Sequence, residues 1–130
     1  MPAEMPDPSA IRAAAEKRGR LAEAVCVIVL RLTGWRILAR RLKARAGTGL
    51  GEVDIVARRG ATIAFIEVKA RVDIETAAYA VSPTQRRRIA RAAAAFLQHR
   101  PELTTCDIRF DVMVLGRRLW PRHIPDAWRP

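Results

Sequence analysis

The run Ile63-Ala64-Phe65-Ile66 constrains this chain more than any other feature. Apolar, β-branched and aromatic residues in succession read as a strand, and a strand alternates its side chains between two faces. Ile63 and Phe65 then lie on one face, with Ala64, Ile66 and Val68 on the other. A strand that is apolar on both faces needs cover on both, which calls for a sheet between two layers. Yet the same strand runs on into Glu67 and Lys69, two opposite charges on the Phe65 face.

The rest of the chain supplies the cover. From about Pro8 to Thr33 the pattern is helical, with Leu21, Val25, Ile28 and Leu32 as the expected buried stripe and Ala24 and Val29 widening it. Thr33-Gly34 ends this helix. Residues 35–40 read as a short strand, the following loop is basic and contains Gly, and residues 52–58 read as a second strand. Arg58-Arg59-Gly60 is the expected turn, making residues 52–58 and 61–71 an antiparallel hairpin. Ser82-Pro83-Thr84-Gln85 offers an N-cap, a Pro at the first helical position and a capping-box Gln. The helix it starts buries Ile89, Ala93, Phe96 and Leu97 and ends before Pro101. Residues 107–115 alternate as a further strand with Ile108, Phe110, Val112 and Val114 on one face, and the tail adds a short strand or a wrapping segment. The order predicts an α/β fold, a mixed sheet of about four to five strands flanked by helices. The 130 residues leave room for one domain, over residues 10–130, behind a flexible tip at 1–9.

Charge bears on the partner. Lys and Arg number 24 against 13 Asp and Glu, a net +11 that favours an anionic partner, nucleic acid foremost. Only Lys17, Lys43 and Lys69 are lysines, so part of this surplus reflects an Arg-rich and Ala-rich composition. The longest apolar run, Ala24 to Leu30, falls short of a bilayer span, and the start of the chain carries acids and prolines. Both point to a cytoplasmic protein with no membrane partner. Cys26 and Cys106 have no ligand spacing for zinc and are expected as free thiols. His99 and His123 stand isolated and read as helix-end or surface residues, and no Ser-His-Asp or Cys-His set can be assembled. Trp35 reads as core, Trp120 and Trp128 as core covers or interface residues, and no aromatic stacking platform is visible.

Four charges interrupt apolar surroundings: Asp54 among Val53, Ile55 and Val56, the pair Glu67 and Lys69, and Glu23 beside the stripe of the first helix. Carboxylates in such places are costly unless paired, hydrogen-bonded or metal-bound. Residues 67 and 69 share a face, roughly 7 Å apart. A hairpin centred on Arg59 sets Asp54 near residue 64, and a register offset or a bulge would bring it beside Glu67; the sequence leaves both open. Two carboxylates meeting there would suit a hard cation, Mg²⁺ or Mn²⁺, held through oxygen. Lys69 would then orient a water or stabilise charge on a phosphate oxygen. The plainer reading is an ion pair at a strand end, with Asp54 and Glu23 turned to solvent.

The succession "GEVDIVARRGATIAFIEVKAR" resembles the signature of the YraN family, bacterial proteins predicted to be endonucleases. That family is grouped with the PD-(D/E)xK nuclease superfamily and is often likened to Holliday-junction resolvases. The resemblance extends to "RGRLAE", "SPTQRRRIARAAAAFL", "RFDVMVL" and "HIPDAW", nearly the whole chain from about residue 17. It implies a restriction-endonuclease-like fold and a Mg²⁺- or Mn²⁺-dependent endonuclease acting on branched or junction DNA. Carried over by position, Asp54, Glu67 and Lys69 correspond to the catalytic acid, acid and lysine. Glu23 corresponds to a helix-one glutamate that completes the metal site, and Gln85 to a helix-two glutamine near it. Glu23, Asp54, Glu67 and the carbonyl of Val68 are thus the implied metal ligands. Thr84 departs from the family, whose members often carry Lys there, and the 40–50 loop is unusually rich in Gly, Ala and basic residues. Arg71 shares the face of Lys69; with Arg41, Lys43, Arg45, Arg86 and Arg87 it is a candidate phosphate contact. Paired cuts in a junction would need two sites and hence a homodimer, but no interface is readable. Two rivals remain: a non-catalytic DNA-binding module on the same fold, and an interaction protein whose charges form a structural cluster.

Overall fold

In the computed structural model, which describes residues 5, 7–43, 53–70, 80–116 and 120–130, the apolar strand is central. It is β3 (Thr62–Ala70), third in a five-stranded sheet whose order follows the chain. The others are β1 (Arg36–Leu42), β2 (Val53–Arg59), β4 (Asp107–Leu115) and β5 (Arg122–Ile124). β3 and β4 run parallel and every other neighbouring pair antiparallel, so the sheet is mixed, as expected. Helix α1 (Pro8–Leu32) covers one face and α2 (Pro83–Gln98) the other, the architecture of a restriction-endonuclease-like fold.

The two faces of β3 divide as the alternation requires. Ile63 and Phe65 pack with Val56, Phe110, Val112, Ile89, Ala93 and Phe96 under α2. Ala64 and Ile66 pack with Ile55, Ala57, Met113, Trp35, Cys26, Val27 and Leu30 under α1. The start of α2 is built as its sequence dictates: Ser82 Oγ accepts the Gln85 N–H at 3.1 Å, and Gln85 Oε1 accepts the Ser82 N–H at 3.2 Å. The tail closes the α2 side, where Trp128 is buried 4.4 Å from the Phe110 ring centre, while Trp120 is exposed. Cys26 and Cys106 are free thiols. Among the described residues no helix is long and apolar enough to cross a membrane.

Two expectations are corrected. The buried side of α1 is Ala22, Glu23, Cys26, Val27, Val29 and Leu30, whereas Leu21, Ile28 and Leu32 are 64%, 57% and 70% exposed. Residues 24–30 are apolar all round the helix, so the pattern contains two stripes, and the sheet takes the one whose small Ala22 and Cys26 permit close approach. Second, β2 continues through Arg59, and the turn is the residue pair Gly60-Ala61, with Arg59 paired to Thr62. Gly60 has φ +60°, the left-handed conformation such a tight turn demands. The hairpin centre therefore lies beyond Arg59, between Gly60 and Ala61.

Candidate active site

That shift in centre decides the geometry of the charges. Ile55 pairs with Ile66, and that register carried one residue further sets Asp54 opposite Glu67. The backbone ladder gives way there, and Asp54 Oδ2 accepts the Val68 N–H at 2.8 Å in place of a strand carbonyl. Lys69 Nζ stands 3.5 Å from Glu67 Oε1, and all three side chains are largely withdrawn from solvent. Burial raises the Asp54 carboxyl above its ordinary value, against the Val68 hydrogen bond. Burial, and then the neighbouring Asp54 charge, push Glu67 up to about 8 despite Lys69. One lysine does not offset two enclosed carboxylates, so both carboxyls are held above their ordinary values, with Asp54 and Glu67 in mutual hydrogen-bond contact.

A cleft of about 270 Å³ opens beside this pair, lined by Glu16, Gly19, Arg20 and Glu23 of α1, Arg41 of β1, and Asp54 and Val68. The fold therefore brings Glu23 to the same cleft as Asp54, but both its oxygens are engaged. Arg40 Nε donates to Oε1 at 3.0 Å and Arg41 Nε to Oε2 at 3.2 Å. Consecutive strand residues normally point apart; Arg41 reaches the same carboxylate as Arg40 because its backbone is left-handed, φ +52°. Among the described residues no three His, Cys, Asp or Glu side chains gather as a metal cluster. The remaining oxygen donors at the strand ends are Asp54, Glu67 and the Val68 carbonyl. That set fits Mg²⁺, which commonly takes one or two carboxylates and completes its shell with water and substrate phosphate.

The other predicted site residues fare unevenly. Gln85 spends its side-chain oxygen on the α2 cap. Arg86 folds back on its own domain, donating to the Val81 carbonyl at 3.1 Å and lying 5.8 Å over Trp128. Arg87 is exposed and donates to Thr84 Oγ1, and Lys43 is exposed at the end of β1. Arg45 and Arg71 lie outside the described residues. Arg58 and Arg59 sit at the other end of β2, roughly 14 and 17 Å from Asp54 at strand spacing. Arg59 lies 4.6 Å over Trp35 and Arg58 donates to the Gly60 carbonyl.

Sequence reasoning missed a second charged centre. Asp111, fully buried on the α1 side of β4, accepts two bonds from Arg109 at 2.8 Å and one from the Asp126 N–H at 2.9 Å. His123 Nε2 lies 2.6 Å from its Oδ2. Burial pushes Asp111 up, but the bonds from His123, Arg109 and Asp126 outweigh it and hold the carboxyl below its ordinary value. The centre straps β5 and the tail to β4. His123 is thus no isolated surface residue; the signal was the Arg109-x-Asp111 spacing on one strand face. A larger cavity of about 760 Å³ lies between α2 and the start of β4. Its lining includes Ala90, Ala93, Leu97 and Ile108, and none of the candidate catalytic residues.

Comparison with known proteins places the chain in a group. A family model described as "Uncharacterised protein family UPF0102" matches residues 22–115. The chain is 52% identical over 122 residues to UPF0102 protein amb4503 of Paramagnetospirillum magneticum, covering 94% of this chain and 95% of that one. It is 50% identical over 117 residues to a UPF0102 protein of Parvibaculum lavamentivorans, covering 90% and 85%. It is 42% identical over 128 residues to UPF0102 protein R00337 of Rhizobium meliloti, covering 98% and 100%.

Proposed function

The chain belongs to the UPF0102 family, and from that premise we propose that it is a divalent-metal-dependent endonuclease acting on branched or structured DNA. The observation that carries this reading is Asp54 set opposite Glu67, with Lys69 beside them and an open cleft adjoining. Two enclosed carboxylates that the protein itself leaves under-compensated are the donor set a hard cation satisfies. Asp54, Glu67 and the Val68 carbonyl would hold it. Bound Mg²⁺ or Mn²⁺ would supply the positive charge that polarises a phosphodiester and acidifies water.

The chain's own residues supply the rest. Asp54 is fixed by the Val68 N–H, so its second oxygen has a set direction. Lys69, tethered to Glu67, orients the attacking water and stabilises charge building on the phosphoryl oxygens. Water oxygen bonds to phosphorus and releases a proton to solvent, the bridging P–O bond breaks with its electron pair on the leaving oxygen, and that oxygen takes up a proton from solvent. Exposed Lys43 and Arg87 supply sequence-independent, salt-sensitive phosphate contacts, and Arg71 and Arg45 are proposed for the same role.

The test is incubation of the protein with four-way-junction, flap and linear DNA in Mg²⁺ or Mn²⁺, beside Lys69→Ala. Cleavage that disappears with EDTA and in the variant supports the proposal and identifies the DNA structure preferred. Equal DNA binding by both proteins with no cleavage under either ion replaces it with the non-catalytic binding module.

A further inference from the structure

Two arginines converge on Glu23, where one in a bidentate pair would satisfy it. The Glu23 side chain is 7% exposed, whereas those of Arg40 and Arg41 are 44% and 50% exposed. Each arginine gives Glu23 its Nε–H alone, at 3.0 and 3.2 Å. The structural pair on β4 is built differently: Arg109 turns both Nε and Nη2 on Asp111, each at 2.8 Å. Among the described residues, Nε–H is the only side-chain donor of Arg40 or Arg41 that a partner accepts. The second arginine also comes at a cost in backbone strain. Arg41 joins Arg40 through its left-handed backbone, φ +52°, which glycine adopts freely and arginine does not. Strain of this kind is kept where it serves a site. The place fits that rule. Arg40 pairs with Ile55 and Leu42 with Val53, so Arg41 stands across from Asp54, one strand spacing (~4.8 Å) away. Arg41 and Glu23 line the cleft together with Asp54 and Val68.

We propose that Glu23 is a positioning residue, whose carboxylate holds Arg40 and Arg41 as a fork for one phosphate of the DNA backbone at the mouth of the cleft. The inference rests on the DNA reading above, and it takes Glu23 out of the metal's ligand set. A phosphate offers several anionic oxygens, and a guanidinium edge matches them with paired N–H donors. Two bare guanidiniums this close would repel and spread. The carboxylate between them offsets that repulsion and fixes one nitrogen of each, so little side-chain freedom is left to lose when a phosphate binds. Two arginines against one carboxylate still leave a surplus positive charge, and the Nη donors of two half-exposed side chains carry it to a ligand. The phosphate so held lies beside Asp54, flanking the one that the proposed cation would polarise.

The test is the affinity of the full chain for labelled four-way-junction and linear duplex DNA in EDTA, read by fluorescence anisotropy over a series of salt concentrations. Circular dichroism verifies folding. On charge alone Glu23→Gln should tighten binding, because it deletes an acid beside the DNA. If the carboxylate holds the fork, the variant instead binds about tenfold more weakly. Arg40→Ala and Arg41→Gly should each weaken binding to a similar degree, and together they should flatten the salt slope by about 1. Glycine suits the left-handed position, so Arg41→Gly keeps the fold. With both arginines replaced, Glu23→Gln should weaken binding no further, a result that a merely structural role would not give. Should Glu23→Gln fail to fold, the two arginine variants decide, and unchanged affinity and salt slope in both overturn the proposal. Calorimetric titration of the DNA-free protein with Mn²⁺ should give Glu23→Gln the affinity of wild type. A variant that loses Mn²⁺ affinity yet binds DNA as tightly as wild type overturns the proposal in favour of Glu23 as a metal ligand. A wild type that cleaves DNA but binds it no more tightly than Glu23→Gln overturns this inference alone. A wild type that binds no DNA overturns it together with the DNA reading.

Discussion

The sheet buries acidic groups in two places and treats them in opposite ways. Asp111 is enclosed completely and answered completely, by Arg109, His123 and the Asp126 N–H, and its carboxyl is held below its ordinary value. Asp54 and Glu67 are enclosed almost as well, yet answered by one backbone N–H and one lysine, and both are raised. The first arrangement is closed: every oxygen has a donor. The second leaves carboxylate oxygens facing each other beside a cleft. A buried charge with all its bonds made is structural, whereas one left short of positive charge is where the proposed cation would bind.

The sharpest way to break this contrast is Asp111→Ala. It strands the Arg109 guanidinium and the Asp126 N–H and unhooks β5, and it should cost ~3–5 kcal/mol by urea unfolding. A loss below about 1 kcal/mol would show that the centre is not a structural strap.

The next effect is a pH dependence that runs opposite to the usual one for carboxylates. The folded value of Glu67, about 8, lies above its ordinary 4.5, so the native state holds a proton that the unfolded chain has released. The stability this contributes is complete below the unfolded value and is lost as pH rises toward about 8. In EDTA the melting temperature should therefore fall across that window. Millimolar Mg²⁺ should flatten the fall, because a cation between the carboxylates favours their ionised forms. Equal slopes with and without Mg²⁺ would count against Asp54 and Glu67 as the cation's ligands. Removing one charge makes the same point more modestly. Glu67→Gln should raise stability at pH 8 by roughly 1 kcal/mol while abolishing the proposed cleavage, the sign expected where function holds a strained site. A loss of stability instead would class Glu67 with Asp111.

How far all this was legible depended on whether a residue's neighbours were local. Alternation along one strand assigned both faces of β3, and the Ser82 cap fixed the start of α2. Asp54, Glu67 and Lys69 were named from their apolar surroundings and a family resemblance, but their meeting hung on a hairpin centre that Gly60 moved past Arg59. The Asp111 centre escaped because its donors come from three segments. The alternation of β4 also made position 111 look solvent-facing until α1 was laid over it. The phase of α1 failed for a different reason: with residues 24–30 all apolar, the sequence holds two faces, and only the sheet says which is inside.

The smallest test asks whether the cleft is empty by design. Around Asp111 nothing is left open, whereas Gly19, which lines the cleft, has no atom within 4 Å of where a Cβ would stand and sits in ordinary helix. Gly19→Ala should therefore stabilise α1 by ~0.5–1 kcal/mol, since the substitution removes backbone freedom from the unfolded chain and meets nothing in the folded one. If DNA passes over this turn of the helix, the same methyl should weaken binding or cleavage even as the melting temperature rises. A more stable protein with unchanged affinity and rate would move the DNA path away from α1, toward the ends of β1 and β3. A protein no more stable than wild type would mean that this half of the helix is not formed as described in solution.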